Sequence, residues 1–288
     1  MEKRKFQIGH TCITWDEADV ETAVSVLAGL GYHGVEIFGW TLDTLRNQGK
    51  LGLFEQNGIP LVSAYFAMNL CDPGRFQESR EKGVRWAGIM RKLGAKYICM
   101  GGEDVDRRKF DFAEYKERII KAADEYGRIF ADMGLTVCYH PHTGTPVQTE
   151  REIRTLMEGV NPAYVSFAPD VAQIQKGGAD PVAIVRDYIG LVKHIHLKDY
   201  NGIPIRYDES GREINLNGFA GYTPLGQGVV DLPAILEIIE GSEVFNNMIM
   251  VELDGGSKTP VPQEEAVRRN REYLERLGYC FREESYGL

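Results

Sequence analysis

The chain has 288 residues, of which 43% are hydrophobic, 26% charged and 10% aromatic, a globular composition that excludes disorder, collagen and a disulfide scaffold. Its length suits two average domains or one large α/β barrel, and no apolar run approaches the roughly 18 residues that span a bilayer. A formal charge of −9 speaks against nucleic acid as a partner, because phosphate binding needs a positive surface.

At the N-terminus, MEKRKFQIGH has basic residues with no apolar stretch behind them, so no secretory leader is expected. FQIGHTCI (6–13) predicts the first strand. Asp16 then stands as an N-cap before Val20, Val24, Leu27 and Leu30, which recur at three- and four-residue steps. From there one local pattern returns: a helix closes on a hydrophobe and a glycine, and a short apolar run follows. It reads LAGLGYHGVEIF at Gly31, FEQNGIPLVSAY at Gly58, MRKLGAKYICM at Gly94, ADMGLTVCYH at Gly134 and RDYIGLVKHIHL at Gly190. Glycine there supplies the left-handed residue that ends a helix and turns the chain into the next strand. NPAYVSFAPD (161–170), with Pro162 as breaker, supplies the strand between the last two, and NNMIMVELD (246–254) supplies an eighth. Helical spacing fills the intervals, as in Phe112, Tyr115, Ile119, Ala122, Tyr126 and Ile129. The same holds for Ile235, Leu236, Ile238 and Ile239 after Asp231, and for Ala266, Tyr273 and Leu277.

Eight strands alternating with about eight helices predict parallel β/α units, and roughly 36 residues per unit makes a single (β/α)8 barrel domain over 1–288. A doubly wound open sheet is the rival, but the usual phosphate turn is missing: GGEDVD (101–106) lacks the G-x-G-x-x-G spacing. The longest irregular stretch, 199–229, follows strand seven. That places it on the catalytic face as a lid or subunit contact. Five scattered cysteines without a C-x-x-C suit reduced thiols and a cytoplasmic location.

Side chains alternate along a strand, so parity separates barrel interior from exterior. In strand two Val35 and Ile37 face out and Glu36 faces in. In strand five Val137 and Tyr139 face out while Thr136, Cys138 and His140 face in, with His142 just beyond on the same side. Strand six turns Ser166, Ala168 and Asp170 inward, strand seven His194, His196 and Lys198, and strand eight Met250, Glu252 and Asp254. Ionisable residues thus converge at the end of the barrel where active sites assemble. Buried charges are costly unless paired or bound to metal. His140, Asp170, His196 and Glu252 make a donor set for one divalent cation, Mn2+ first, with Co2+, Zn2+ or Mg2+ as alternatives. Its open positions would take a substrate carbonyl and a neighbouring hydroxyl, and stabilise the enediolate left by proton removal.

Other residues carry two readings each. His194 lies one layer deeper and reads as structural, and Asp170 with His196 also reads as a plain hydrogen-bonded pair. His142 is either a base or the cap of a turn. Lys198 binds an anionic group or pairs with Glu36 or Asp199. Asp254 competes with Glu252 but stands further out. Trp15, at the end of strand one, stacks on a sugar face or packs in the core. His10 has a weak claim, and His33 reads as a surface residue.

These residues resemble the xylose isomerase-like TIM-barrel superfamily of sugar phosphate isomerases and epimerases, over nearly the whole chain. GVEIF with Glu36 looks like its strand-two G-x-x-x-[IV]-E, and Asp170 with His196 in KHIHLKDY matches its spacing and H-x-K-D ending. LGQGVVDLPAIL (225–236) resembles its G-x-G-x-[IV]-D, and VELD (251–254) its strand-eight glutamate. Within the superfamily, VCYHPHTGTPVQTEREI (137–153) is most similar to inosose (2-keto-myo-inositol) dehydratases, which carry Y-H-x-H-x-G-T in strand five. Ketose epimerases and isomerases usually have a glutamate ligand, also their acid/base, where His140 stands; its replacement favours elimination over epimerisation. The family's strand-six D-x-x-H reads Asp170-Val-Ala-Gln173 here, and Gln173 cannot shuttle a proton, which departs from both groups.

The resemblance implies a metal-dependent lyase or isomerase acting on a small keto-cyclitol or keto-sugar. His142, Glu252 and Lys198 would be catalytic, and Glu36, Trp15 and Gln173 would meet substrate. Ketose 3-epimerase, aldose–ketose isomerase and cleavage of keto-glycosides, as in C-glycoside deglycosidases, are the alternatives. Endonuclease IV-type DNA repair needs more histidines for three zincs, and a basic face, than six histidines and a charge of −9 offer. A homo-oligomer is expected. A metal-binding subunit of a hetero-oligomer, joined through 199–229, is the remaining reading.

Overall fold

Eight short parallel strands circle one axis in the computed structural model, which describes residues 6–206, 208–209, 219–245, 247–256 and 259–283. They are β1 (Ile8–Thr11), β2 (Val35–Phe38), β3 (Leu61–Met68), β4 (Tyr97–Gly102), β5 (Thr136–Tyr139), β6 (Val165–Phe167) and β7 (His196–Leu197). After the short strands β8 (Asp199–Tyr200) and β9 (Tyr222–Thr223), β10 (Ile249–Val251) completes the set. The hydrogen-bonded order is β6-β5-β4-β3-β2-β1-β10-β7. Two parallel bridges, Phe167 to Val192 and Asp170 to His196, join the two ends of that sheet. The result is the (β/α)8 barrel expected from the repeat.

Around it run α1 (Val20–Gly29), α2 (Gly39–Asn47), α3 (Leu53–Gln56), α4 (Phe76–Lys92), α5 (Phe112–Asp132) and α6 (Glu150–Gly159). They are followed by α7 (Val171–Lys176), α8 (Pro181–Asp187), α9 (Leu232–Gly241) and α10 (Gln263–Arg276). Alternation along the strands sorts side chains into two layers. Val35, Ile37, Val137, Tyr139, Val165, Phe167, Ile195, Leu197, Ile249 and Val251 join the helices in the main core. Inside the ring, Cys99, Cys138 and Ala168 pack together with Tyr65 and Tyr97. These small side chains leave axial room for imidazoles. Among the described residues no helix is long and apolar enough to cross a membrane.

Several expectations are corrected. Asp16 does not cap α1; a short 3-10 turn, Glu17–Asp19, intervenes, and the helix starts at Val20. Gly31 and Gly94 take the left-handed conformation, with φ of +75° and +79°, but Gly190 sits in the 3-10 turn Ile189–Leu191 and does not. His33 is half-buried, its Nδ1 accepting the Ile8 N–H at 3.2 Å.

The 199–229 stretch is less irregular than expected, because β8 pairs antiparallel with β9 through Asp199–Thr223 and Tyr200–Tyr222. Asp199 then accepts the backbone N–H groups of Tyr200, Gly226, Gly228 and Val230 at 2.8–3.2 Å. A Cβ on Gly228 would stand 2.2 Å from Asp199 Oδ1, so the G-x-G spacing is what lets the backbone wrap that carboxylate. Residues 207 and 210–218 of this stretch lie outside the described residues, as do Asn246 at the start of NNMIMVELD and residues 1–5 of the N-terminal segment.

His10, on β1, is buried: its Nδ1–H donates to the Thr11 carbonyl at 2.7 Å, and the Asn270 amide donates to Nε2 at 3.1 Å. Burial pushes its pKa from 6.5 down to about 4. The unfolded chain therefore takes up this proton below pH 6.5 while the folded protein stays neutral until about 4. The stability this group contributes is complete above pH 6.5 and is lost as pH falls to about 4, on the order of 3 kcal/mol. His10→Gln, which keeps a donor and an acceptor but cannot titrate, should flatten that part of the stability–pH curve measured by urea unfolding.

Candidate metal centre and cavity

Barrel closure places the first two site residues side by side, since Asp170 and His196 are the bridge pair between the ends of the sheet. Asp170 also caps α7: its Oδ1 accepts from Ala172 N at 3.0 Å and Gln173 N at 2.9 Å. That leaves Oδ2 for the interior. His140 follows β5 directly, and its ring centroid lies 4.7 Å from that of His196. Ligand atoms of His140, Asp170 and His196 come within 4.8 Å of one another. Three atoms of this group, His140 Nδ1, Asp170 Oδ2 and His196 Nδ1, are buried without a hydrogen-bond partner among the described residues. Buried polar atoms without partners are rare. Three on one imidazole–carboxylate cluster fit a divalent cation.

His196 is held from behind. Its Nε2 lies 2.9 Å from Glu36 Oε1, while Glu36 Oε2 accepts the Ser63 hydroxyl at 2.5 Å and His194 Nε2 at 2.8 Å. The Asn247 amide donates to His194 Nδ1 at 2.9 Å, which puts the His194 proton on Nε2, facing Glu36. Burial keeps His194 neutral, its pKa below the ordinary value. Burial alone would raise the Glu36 carboxyl, but the charge of His196 and hydrogen bonds from both imidazoles hold it well below the usual range.

With Nε2 turned to Glu36 and Cys99, the other nitrogen of His196, Nδ1, faces Glu252 Oε2 at 2.9 Å. The two atoms are close but do not have hydrogen-bond geometry. A bare lone pair against a carboxylate repels, so this contact needs a positive charge, from a proton or a cation. Burial lowers the affinity of His196 for that proton, but Glu36 and Glu252 outweigh it and carry its pKa well above the ordinary value. His140, by contrast, is kept neutral by burial and by the neighbouring His196. A neutral imidazole is ready to ligate.

A second group, Glu36, Cys99, His194 and His196, is equally compact. Its members are already joined by hydrogen bonds, and burial pushes the Cys99 thiol up to about 12. It is a hydrogen-bonded support rather than a cation site.

Lys198 is wholly buried. Its ammonium donates to Glu252 Oε1 at 2.6 Å, touches Asp254 Oδ2, lies 3.5 Å from Asp170 Oδ2, and sits 3.8 Å from the Tyr222 ring centroid. The carboxylates compete for it. Burial raises both, but Glu252, nearer to Lys198 and helped by His196, is held well below its ordinary pKa, whereas Asp170 is raised.

The model of the xylose isomerase-like TIM barrel family matches residues 24–277. The chain belongs to that family. An inosose dehydratase of Geobacillus kaustophilus is 28% identical over 309 residues, covering 96% of this chain and 97% of the relative. One of Clostridium beijerinckii is 25% identical over 301 residues, covering 97% and 100%. Among solved structures, the IolI protein with a bound zinc atom superposes with a TM-score of 0.74 at 19% identity, over 94% of this chain and 98% of that one. The probable 3-DHS dehydratase AsbF of Bacillus anthracis gives 0.72 at 15% identity, over 93% and 98%. At such identities these two structures show the fold.

In this xylose isomerase-like barrel, a cavity of about 400 Å³ on the catalytic face is lined by Trp15, Glu36, His140, His142 and Glu252 of the expected residues. Trp15 does not end strand one. It follows the 3-10 turn after β1 and is buried at the cavity wall. Glu36 reaches the cavity with both oxygens already engaged, so it positions imidazoles. Gln173 and Asp254 line a separate space of about 160 Å³, and His142 lines both. Gln173 Oε1 is occupied by the backbone N–H and hydroxyl of Thr143, at 3.1 and 2.8 Å. Lys198 faces neither space; it pairs with Glu252, Asp254 and Asp170, not with Glu36 or Asp199. Asn247 and Ser63 were missed, although inward parity on β3 marks Ser63. Tyr65, Phe38 and Trp40 were missed as wall residues.

Removing one partner of a buried ion pair leaves the others uncompensated, at about 3–5 kcal/mol. Lys198→Met should lower the unfolding free energy of metal-free protein by that amount in urea titration, and an added divalent cation should restore part of it.

Proposed function

We propose that the protein is a divalent-metal-dependent lyase that removes a β-leaving group from a keto-cyclitol or keto-sugar after taking the proton α to its ketone, most like inosose dehydratase. The observation that carries this reading is the set of three partnerless buried atoms on His140, Asp170 and His196, of which His140 lines the cavity together with Glu252. The substrate class comes from the relatives named inosose dehydratase. His140, Asp170, His196 and Glu252 would hold the ion, which when bound would supply Lewis-acid polarisation of the ketone. Manganese leads, and the zinc of the structurally similar IolI protein supports zinc as the alternative.

His142 takes the proton. Its Nδ1–H donates to the Thr143 carbonyl at 2.6 Å, which leaves the lone pair on Nε2, and the ring borders the cavity. Lys198 keeps Glu252 ionised and in place. Glu36 and His194 fix the orientation of His196. The C–H bond and the β C–O bond break, a C=C bond forms, and the hydroxyl leaves with a proton as water. Epimerisation needs a second proton-transfer group on the opposite ring face. A glutamine at 173 and a histidine at 140 withdraw the two family groups that would serve, which favours elimination. Trp15 then meets the substrate as part of the wall. All five cysteines are free, in keeping with the cytoplasmic location of this reading, to which a homo-oligomeric state is added as part of the proposal.

The test is incubation with 2-keto-myo-inositol in deuterated water. The expected result is dehydration that stops on chelation and returns with Mn2+. Exchange without elimination would identify an epimerase instead. His142→Gln should reduce both elimination and exchange by about 10²–10⁴-fold at unchanged metal content. Partners that orient metal-ligating histidines typically carry 10–100-fold in metal affinity. Asn247→Leu, which frees the His194 tautomer, should therefore weaken metal binding by roughly tenfold in competition with a chromogenic chelator, and an unchanged affinity would remove the Asn247–His194–Glu36 support from the account.

A further inference from the structure

The small space that His142 shares with the main cavity has a chemistry of its own. It measures about 160 Å³, and Thr143, Gln173, Lys176, Tyr222 and Asp254 surround it beside His142. Gln173 is 1% exposed. Its Oε1 accepts the backbone N–H of Thr143, a group that can only donate, so the orientation of the amide is fixed. The other end, Nε2, is buried without a hydrogen-bond partner among the described residues. A buried donor left unmet is costly and rare, so this amide needs a partner from the space it lines. The residue is also tied to the candidate metal centre. Its backbone N–H, in the first turn of α7, is held by Asp170 Oδ1 at 2.9 Å. Asp254 brings a carboxylate, an acceptor, to the same space. A donor and an acceptor together suit a hydroxyl or a water, and the carboxylate repels an anion. At about 30 Å³ per molecule the space takes roughly five waters.

We propose that this chamber receives the leaving oxygen, and that the Gln173 amide donates to it as the C–O bond breaks. It rests on the lyase reading above and names the group that binds the departing hydroxyl. The C–H bond α to the ketone and the β C–O bond break, and a C=C bond forms. The proton that His142 took from carbon passes to the oxygen, so water leaves and His142 is neutral again. No oxidant or further reactant is consumed. His142 borders both spaces, so one imidazole serves the carbon and the oxygen. Gln173 binds the oxygen without exchanging a proton.

The ratio of deuterium exchange to elimination, measured with 2-keto-myo-inositol in deuterated water, tests the chamber. Deuterium enters recovered substrate when carbon regains a proton before the C–O bond breaks. Gln173→Glu keeps the acceptor that holds Thr143 and removes the amide donor. Elimination should fall roughly tenfold or more while exchange persists, so the ratio rises by the same factor. Gln173→Met, an apolar side chain of similar length, should raise the same ratio and serves if Gln173→Glu does not fold. A role confined to holding Thr143 would displace His142 and lower both rates together. An unchanged ratio therefore overturns the proposal. Wild-type protein that exchanges without eliminating overturns it as well, because no oxygen leaves. If the wild type does neither, the lyase reading fails and the chamber's role falls with it; unchanged ratios in an active enzyme remove the chamber alone.

Discussion

A barrel must close, and here it closes on very little backbone. β6 has three residues and β7 two, and the seam between them consists of two isolated bridges, one of which pairs Asp170 with His196. The His196 N–H also reaches back to the Pro169 carbonyl at 3.0 Å. Side chains supply the rest. Asp170 caps α7 with one oxygen and turns the other toward Lys198, while Lys198 reaches across to Glu252 at the end of β10. The ion network that stitches the seam reaches the cavity through Glu252. An enzyme built this way has little freedom to separate stability from chemistry at these positions.

The charge balance of that network favours a cation within it. Glu36, Asp170, Glu252 and Asp254 bring four carboxylates to the interior or its edge, against the ammonium of Lys198 and the proton demanded by His196. Lys198 cannot serve all of its neighbours equally. It holds Glu252 ionised at 2.6 Å and leaves Asp170, at 3.5 Å, with a raised pKa and a partnerless oxygen. Burial makes uncompensated negative charge expensive. A divalent ion beside Asp170, His140 and His196 would relieve the one carboxylate that the lysine serves least.

What could be read from the sequence follows from what period and parity measure. Alternation in VCYH, VSFAPD, HIHLK and MIMVELD placed His140, Asp170, His196 and Glu252 inward, because a pleated strand leaves only two faces to choose between. Parity is silent on distance. It set Lys198 and Glu36 inward correctly but could not show that their oxygens and ammonium are consumed by neighbours, leaving them to position other groups. It also missed Asn247, a neutral side chain ahead of β10, since nothing in its own segment indicates that it meets His194 from strand seven. The wall of Phe38, Trp40 and Tyr65 assembles across β2, α2 and β3, and such convergence exists only in the folded chain. In 199–229, the turn chemistry around Asp199 was concealed because one carboxylate gathers amides from four residues spread over three decades of sequence.

The histidine at position 140 joins these threads. A glutamate there would add a further carboxylate to a floor already short of positive charge, and would supply a proton acceptor inside the coordination group. An imidazole kept neutral by burial does neither. Under the proposed function it leaves Asp170 and Glu252 as the anionic donors, favours ions that accept nitrogen, and assigns proton transfer to His142, where the carbonyl of Thr143 fixes the tautomer. On the proposed reading, His142 and the aromatic residues Phe38 and Trp40 line one cavity, and elimination follows from the glutamine at 173 and the histidine at 140 rather than from the barrel itself.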